Sequence, residues 1–344
     1  MEHCFGLGKL WRRLMAAATI VTVVAAAAFL TTACHRHRDD NRHREGDIEV
    51  MRLERVIMDS DSAQLTTALR QFADTLASPL LTLMPEDPRF MSMVMQYRND
   101  STMLLLDGLV QQRYSSLTWL ERTLTDAVAR LSEQDPAIQL RKVATYIGSG
   151  GYPDRVHADR ESNTVTVAID QYVAPMTEAY GYLGDPLYQV HLSDSAYLAT
   201  DCLAALAQEY IAMPAEPWSL LDYMVAEGKE LYTLDIALPH TADSIKIRYT
   251  RQQMRWMEQH EKKVWATLLQ NQLLFSTDAT RFHNLIYEAP KTNAFGNESA
   301  PRTVEYIGWQ IVRRYMKNSG SSLHDLLEET DSRKILDASG YRPN

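Results

Sequence analysis

The chain has 344 residues, 45% of them hydrophobic and 23% charged, with 44 Asp and Glu against 35 Lys and Arg for a formal charge of −9. A chain of this length can hold itself together by its hydrophobic core alone. The acidic excess disfavours nucleic acid as a partner.

At the N-terminus, Lys9, Arg12 and Arg13 precede an uncharged run from Leu14 to Leu30 that ends in Leu30-Thr31-Thr32-Ala33-Cys34. This is the order of a bacterial lipoprotein signal: a basic start, an apolar middle and small residues before a cysteine. It predicts a signal peptide over residues 1–33 and lipidation of Cys34. Several acyl chains on that thiol would anchor the mature protein to a membrane, where a single chain binds only marginally. Thr31 stands where Leu or Val is usual. The alternative is an uncleaved spanning helix, and the 17 residues of the run lie at the short limit for one. Removing the signal leaves 32 basic and 43 acidic side chains, a charge of −11. It also removes Cys4, and with Cys34 acylated, Cys202 is left without a partner for an intramolecular disulfide.

Residues 34–45 read as a basic, flexible tether. The stretch from His35 to Arg44 is polar, mostly basic and free of large apolar residues, which suits a disordered segment near anionic headgroups. Its histidines could chelate a metal, but nothing in such a segment would preorganise them. From residue 46 to 344 the chain reads as one globular domain without a second linker or a fixed-period repeat.

The predicted body is α+β and predominantly helical, with a small sheet packed by helices. Ile48 to Ile57 alternates apolar and polar residues and predicts a strand. Gln139 to Ile147 and the β-branched run Thr164 to Ile169 supply two more. Helical spacing covers 61–78 and 100–131, interrupted between them by Pro79, Pro85 and Pro88. Further helices are expected over 195–210, where Cys202 is a small core residue, and over 218–236, 251–274 and 302–317. Thr250 and Gln253 form the capping box that opens the helix from 251, and Met254, Met257, Val264 and Leu268 mark its buried stripe.

The chemistry centres on Tyr223 to Tyr232. The run Ala226-Glu227-Gly228-Lys229-Glu230 has the skeleton of a zinc-peptidase helix, in which two histidines one turn apart hold the metal and the Glu after the first activates water. Glu227 falls where the general base would be. Ala226 and Glu230 occupy the two ligand positions, and alanine coordinates nothing, so a conventional metal site is excluded on this helix. Two readings stay open: a vestigial active-site cleft at Glu227 and Glu230, or an ordinary solvated helix face. Among the body's histidines, His157, His191, His240, His260, His283 and His324 show no i, i+4 pair, and no metal site or cofactor is expected.

In the C-terminal block, Gly308 inside a predicted helix costs about 1 kcal/mol relative to Ala, tolerable where a neighbouring backbone or ligand comes close. Trp309, Arg302, Arg313 and Arg314 lie on the same helix or at its entrance. They suit either an interaction hot spot or a core Trp covered by the arginine stems.

A family resemblance is carried by several unrelated motifs in one order. They are Glu227-Gly228-Lys229 through Leu234-Asp235, Leu238-Pro239 with Asp243 to Lys246, and Tyr249-Thr250 to Trp265. They continue with Phe275 to Asp278, Glu288 to Pro290, Phe295 to Ser299, Pro301-Arg302, Ile307 to Val312, Tyr315-Met316 and the ending Leu336 to Pro343. In these the chain resembles the gliding motility lipoprotein family GldB of Bacteroidetes, over most of the mature chain and densely near its end. That family is in turn distantly similar to zinc-dependent peptidases with a HExxH helix, which suits a degenerate zincin-like fold and a pseudoenzyme. The resemblance implies a lipid-anchored envelope protein, partnered by proteins of the gliding or linked secretion machinery, and no known reaction. Two functions follow. One is a non-catalytic envelope component; the other is a hydrolase or peptidase with Glu227 as base.

Overall fold

A computed structural model describes residues 47–148, 155–173, 188–287 and 289–343. The expected signal, Cys34 and the expected tether lie outside them. The sheet has four strands, β1 (Glu49–Arg52), β2 (Lys142–Tyr146), β3 (Val156–Asp159) and β4 (Thr164–Ala168), in the order β1-β2-β4-β3. β1 and β4 both run parallel to β2, and β3 pairs antiparallel with β4. Every residue of β4 is buried, because an inner strand covered on both faces has no solvent side to mark with polar residues. β3 was not anticipated: Val156-His157-Ala158-Asp159 is a short edge strand with a partly polar sequence.

The strand expected over 48–57 stops at Arg52, and Leu53–Asp59 is helix α1. Leu53, Val56 and Ile57 recur at helical spacing as well as fitting the alternation, and all three pack in one apolar cluster. That cluster joins α1 to α2 (Leu65–Leu76) and α3 (Pro88–Asn99) against Met51 and Ala144, which sit side by side in register on β1 and β2. The helix α3 corrects another expectation. Pro88 opens it, since at the first helical position the missing N–H has no bond to make, and the Asp87 side chain accepts from the backbone N–H of Arg89. The single helix expected over 100–131 is two, α4 (Ser101–Arg113) and α5 (Thr118–Gln134), divided where Tyr114 turns into the core.

The larger core joins Val143, Val165 and Val167 of the sheet to α5, α6 (Leu198–Gln208) and α7 (Leu220–Ala237). Short α8 (Asp243–Lys246) leads to α9 (Arg251–Gln270), which opens at the Thr250–Gln253 capping box and buries Met257, Val264 and Leu268. The chain ends in α10 (His283–Ile286), α11 (Thr303–Ser319), α12 (Leu323–Glu328) and α13 (Ser332–Ser339). The architecture is α+β and predominantly helical. Among the described residues no helix is long and apolar enough to cross a membrane.

Candidate functional site

Helices α7 and α11 form the most extensive helix pair of the body, and glycines set how closely they approach. A Cβ built on Gly308 would lie 1.7 Å from the carbonyl oxygen of Met224, and one on Gly228 would lie 2.4 Å from the carbonyl oxygen of Gly308. The two backbones therefore touch at this crossing, and only residues without side chains fit. Gly228 was not singled out in the sequence, where it reads as a spacer between Glu227 and Lys229. The close approach lays the charged residues of α7 against the start of α11.

No solvated face exists at Lys229 and Glu230, each only 2% exposed. The Lys229 ammonium donates to the carbonyl oxygens of Leu327 and Glu329 at 3.2 and 2.6 Å. Burial pulls its pKa down to about 8, against the upward pull of Glu329 and Glu328. Glu230 accepts from Gln208 Nε2 at 2.7 Å through Oε2, while its Oε1 has no hydrogen bond and faces the Arg248 guanidinium at 3.6 Å. Arg248 in turn donates from Nε to Asp201 at 2.9 Å. The second Asp201 oxygen accepts from the Tyr172 hydroxyl at 2.8 Å, with Arg155 at 3.4 Å. Burial works to lower the Arg248 pKa, but the Asp201 and Glu230 charges outweigh it and hold the guanidinium well above its ordinary value.

Across the crossing, Arg302 donates to Glu305 at 2.6 Å and to the carbonyl oxygen of Ile247 at 3.1 Å. Arg302 and Arg248 both have left-handed backbones, φ 44° and 60°. Such residues are uncommon among non-glycines and cost of order 1–3 kcal/mol each, so the surrounding fold holds both arginines in place against strain. Glu227 lies between these groups. It is half-buried. Burial, followed by the Glu305 and Glu230 charges, raises its pKa well above the ordinary value against the pull of Arg302 and Arg248. A carboxyl that keeps its proton can donate a hydrogen bond or act as an acid, and is a weak base until it ionises.

A testable consequence concerns pH. Glu227 binds its proton more tightly folded than unfolded, so its contribution is complete below the ordinary value of 4.5. It is lost as pH rises and the unfolded chain ionises first. Glu227→Gln removes this decline. Urea midpoints for the variant should match wild type near pH 4 and exceed it increasingly toward pH 8; a wild-type advantage that grows with pH would refute the assignment.

The second polar cluster lies farther along α7. Trp309 is wholly buried and donates from its indole to Asp235 at 3.0 Å. Arg313 lies 3.6 Å from the Trp309 ring centre and holds Asp235 through two bonds of 2.7 and 2.8 Å, with Asp243 at 2.9 Å. Buried Lys246 completes the set at 2.8 Å from Asp235. Arg313 therefore covers Trp309, while Arg302 turns into the Glu305 cluster, so these residues line two separate interior networks. Cys202 is fully buried in α6, where burial first and Asp201 second push its thiol pKa up. Among the described residues no group of three or more His, Cys, Asp or Glu is placed to hold a metal ion.

Arg155, Asp201 and Arg248 were not legible as site residues, since each comes from a different element. Glu305 had a local signal in its i, i+3 spacing from Arg302.

The class thus defined is a helix-rich α+β body with a buried charge network where two helices cross on glycine. A family model described as gliding motility protein GldB matches residues 34–343, and the chain belongs to that family. No curated protein and no solved structure matches the chain.

Proposed function

We propose that this chain is a lipid-anchored, non-catalytic component of the cell envelope that serves gliding motility or the protein secretion linked to it, through a protein partner. The observation that carries this reading is the fate of the two ligand positions on α7. Ala226 has no donor atom, and Glu230 is engaged by Gln208 and faces Arg248. The Arg248 guanidinium supplies beside Glu230 the positive charge that a metal ion supplies on an intact HExxH helix. The network is then a structural remnant, its charges paired internally to keep the α7 and α11 crossing in register. The match that begins at Cys34 supports the anchor.

Complementation tests the reading. In a strain lacking the native copy, Glu227→Gln should restore motility or secretion as wild type does. Loss of function with normal amounts of folded, membrane-bound protein would overturn the non-catalytic reading. The hydrolase reading, with Glu227 as base, is favoured by one observation, that two strained arginines flank a half-buried carboxyl.

The anchor has its own test. Cys34→Ser should release the protein from membranes or leave an unprocessed precursor, because the acyl chains supply the anchoring free energy. Normal cleavage with unchanged membrane fractionation would refute lipidation at Cys34.

A further inference from the structure

Away from Glu227, the far half of α11 and residues 341–343 line an open groove of about 430 Å³. Gln310, Arg313, Arg314 and Lys317 lie at i, i+3, i+4 and i+7 and form one stripe along its helical wall. Arg342 closes the other side, held there by the bond of 3.2 Å from the Arg314 guanidinium to its carbonyl oxygen. The tail itself is fixed: the Tyr341 hydroxyl donates to Glu261 at 2.6 Å, and its ring meets Trp265 edge-on at 5.1 Å.

Charge is what sets this groove apart. Four cations face one carboxylate, Glu261, on a chain whose formal charge is −9. Arg313 is neutralised by Asp235 and Asp243, but no described carboxylate pairs with Arg314, Lys317 or Arg342. The Gln310 amide nitrogen is buried without a hydrogen-bond partner, a donor whose desolvation is not offset from within the protein. A ligand that satisfies the three cations must bring negative charge and several acceptor oxygens pointing in different directions. A tetrahedral phosphate does so, where a planar carboxylate reaches fewer of them. The volume exceeds a bare phosphate and leaves space for a small polar group esterified to it.

We propose that this groove binds a phosphate ester, with Arg314, Lys317 and Arg342 pairing to the phosphate. The same chemistry is offered by a phospholipid headgroup and by a soluble phosphorylated sugar or glycerol. The experiment uses the full lipidated protein in dodecyl maltoside micelles, which carry no phosphate, titrated calorimetrically with glycerol 3-phosphate. Saturable binding is expected, weakened at least tenfold in the doubly substituted Lys317→Gln, Arg342→Gln protein. Both residues are exposed, and circular dichroism confirms that the fold is kept. Repeating the titration in micelles containing phosphatidylglycerol separates the sources: a headgroup site loses apparent affinity for the soluble probe, and a soluble-ligand site does not. Lys262→Gln with Lys263→Gln removes the same charge from the exposed side of α9 and should leave binding unchanged. Three results would overturn the site: no binding at millimolar probe, binding indifferent to Lys317 and Arg342, or equal loss in the α9 control.

Discussion

Gly308→Ala should lower the melting temperature, although the same change in an isolated helix would raise it. Helix propensity favours Ala by about 1 kcal/mol. Against that, the new methyl would stand 1.7 Å from the Met224 carbonyl oxygen, less than half a normal contact. The obstacle is backbone, so no side-chain rotation relieves it, and α7 and α11 must separate along the largest helix contact of the body. Overpacking of this kind costs about 1–3 kcal/mol when side chains can yield and more when they cannot. We expect a net loss of at least about 2 kcal/mol for Gly308→Ala and no folded protein for Gly308→Leu. Gly228→Ala should destabilise as well, and the double variant should cost less than the sum, because one separation of the helices relieves both contacts. Thermal melts followed by circular dichroism decide it. A Gly308→Ala melt at or above wild type would mean that the helix face is open.

The second large effect is expected at Asp235. Its two oxygens accept from Trp309, twice from Arg313, and from Lys246, so removing the carboxylate strands one buried indole N–H and leaves the buried Lys246 ammonium only Asp243 at 3.6 Å. Breaking a buried ion pair costs about 3–5 kcal/mol. Arg313 remains 29% exposed and keeps Asp243, which places Asp235→Ala near the low end, about 3 kcal/mol. Trp309→Phe loses one hydrogen bond and leaves space in a wholly buried site, for about 2 kcal/mol or more. Urea denaturation measures both. An Asp235→Ala change below about 1 kcal/mol would mean that the network is solvent-screened.

These two sites show what the sequence made legible. The α9 capping box, the buried stripe after it and the close-packing signature of Gly308 are local, because each depends on residues within a few turns of one another. The helix at Leu53 reads as strand in the sequence because apolar residues there fit both periods. Pro88 reads as a barrier because its role depends on whether it stands at the first helical position or later. The charge network was only half visible. Glu227 and Glu230 stood out by motif spacing, yet whether their face was solvated or buried depended on Gly228 meeting Gly308, a contact between residues 80 positions apart. Arg155, Asp201 and Arg248 have no shared spacing at all: Arg155 precedes β3, Asp201 lies on α6 and Arg248 follows α8, and only the tertiary packing of these elements draws their charges together.

We propose that α7 sets the Arg248 guanidinium beside Glu230, where a zinc-peptidase helix would carry a metal. The most direct test is the zinc content of the purified, lipidated protein after dialysis against metal-free buffer, measured by inductively coupled plasma mass spectrometry. Because Ala226 offers no ligand and Glu230 faces Arg248, we expect no stoichiometric zinc. One retained equivalent per chain, lost in Glu230→Gln, would contradict the account and restore α7 as the helix of a metal-dependent active site.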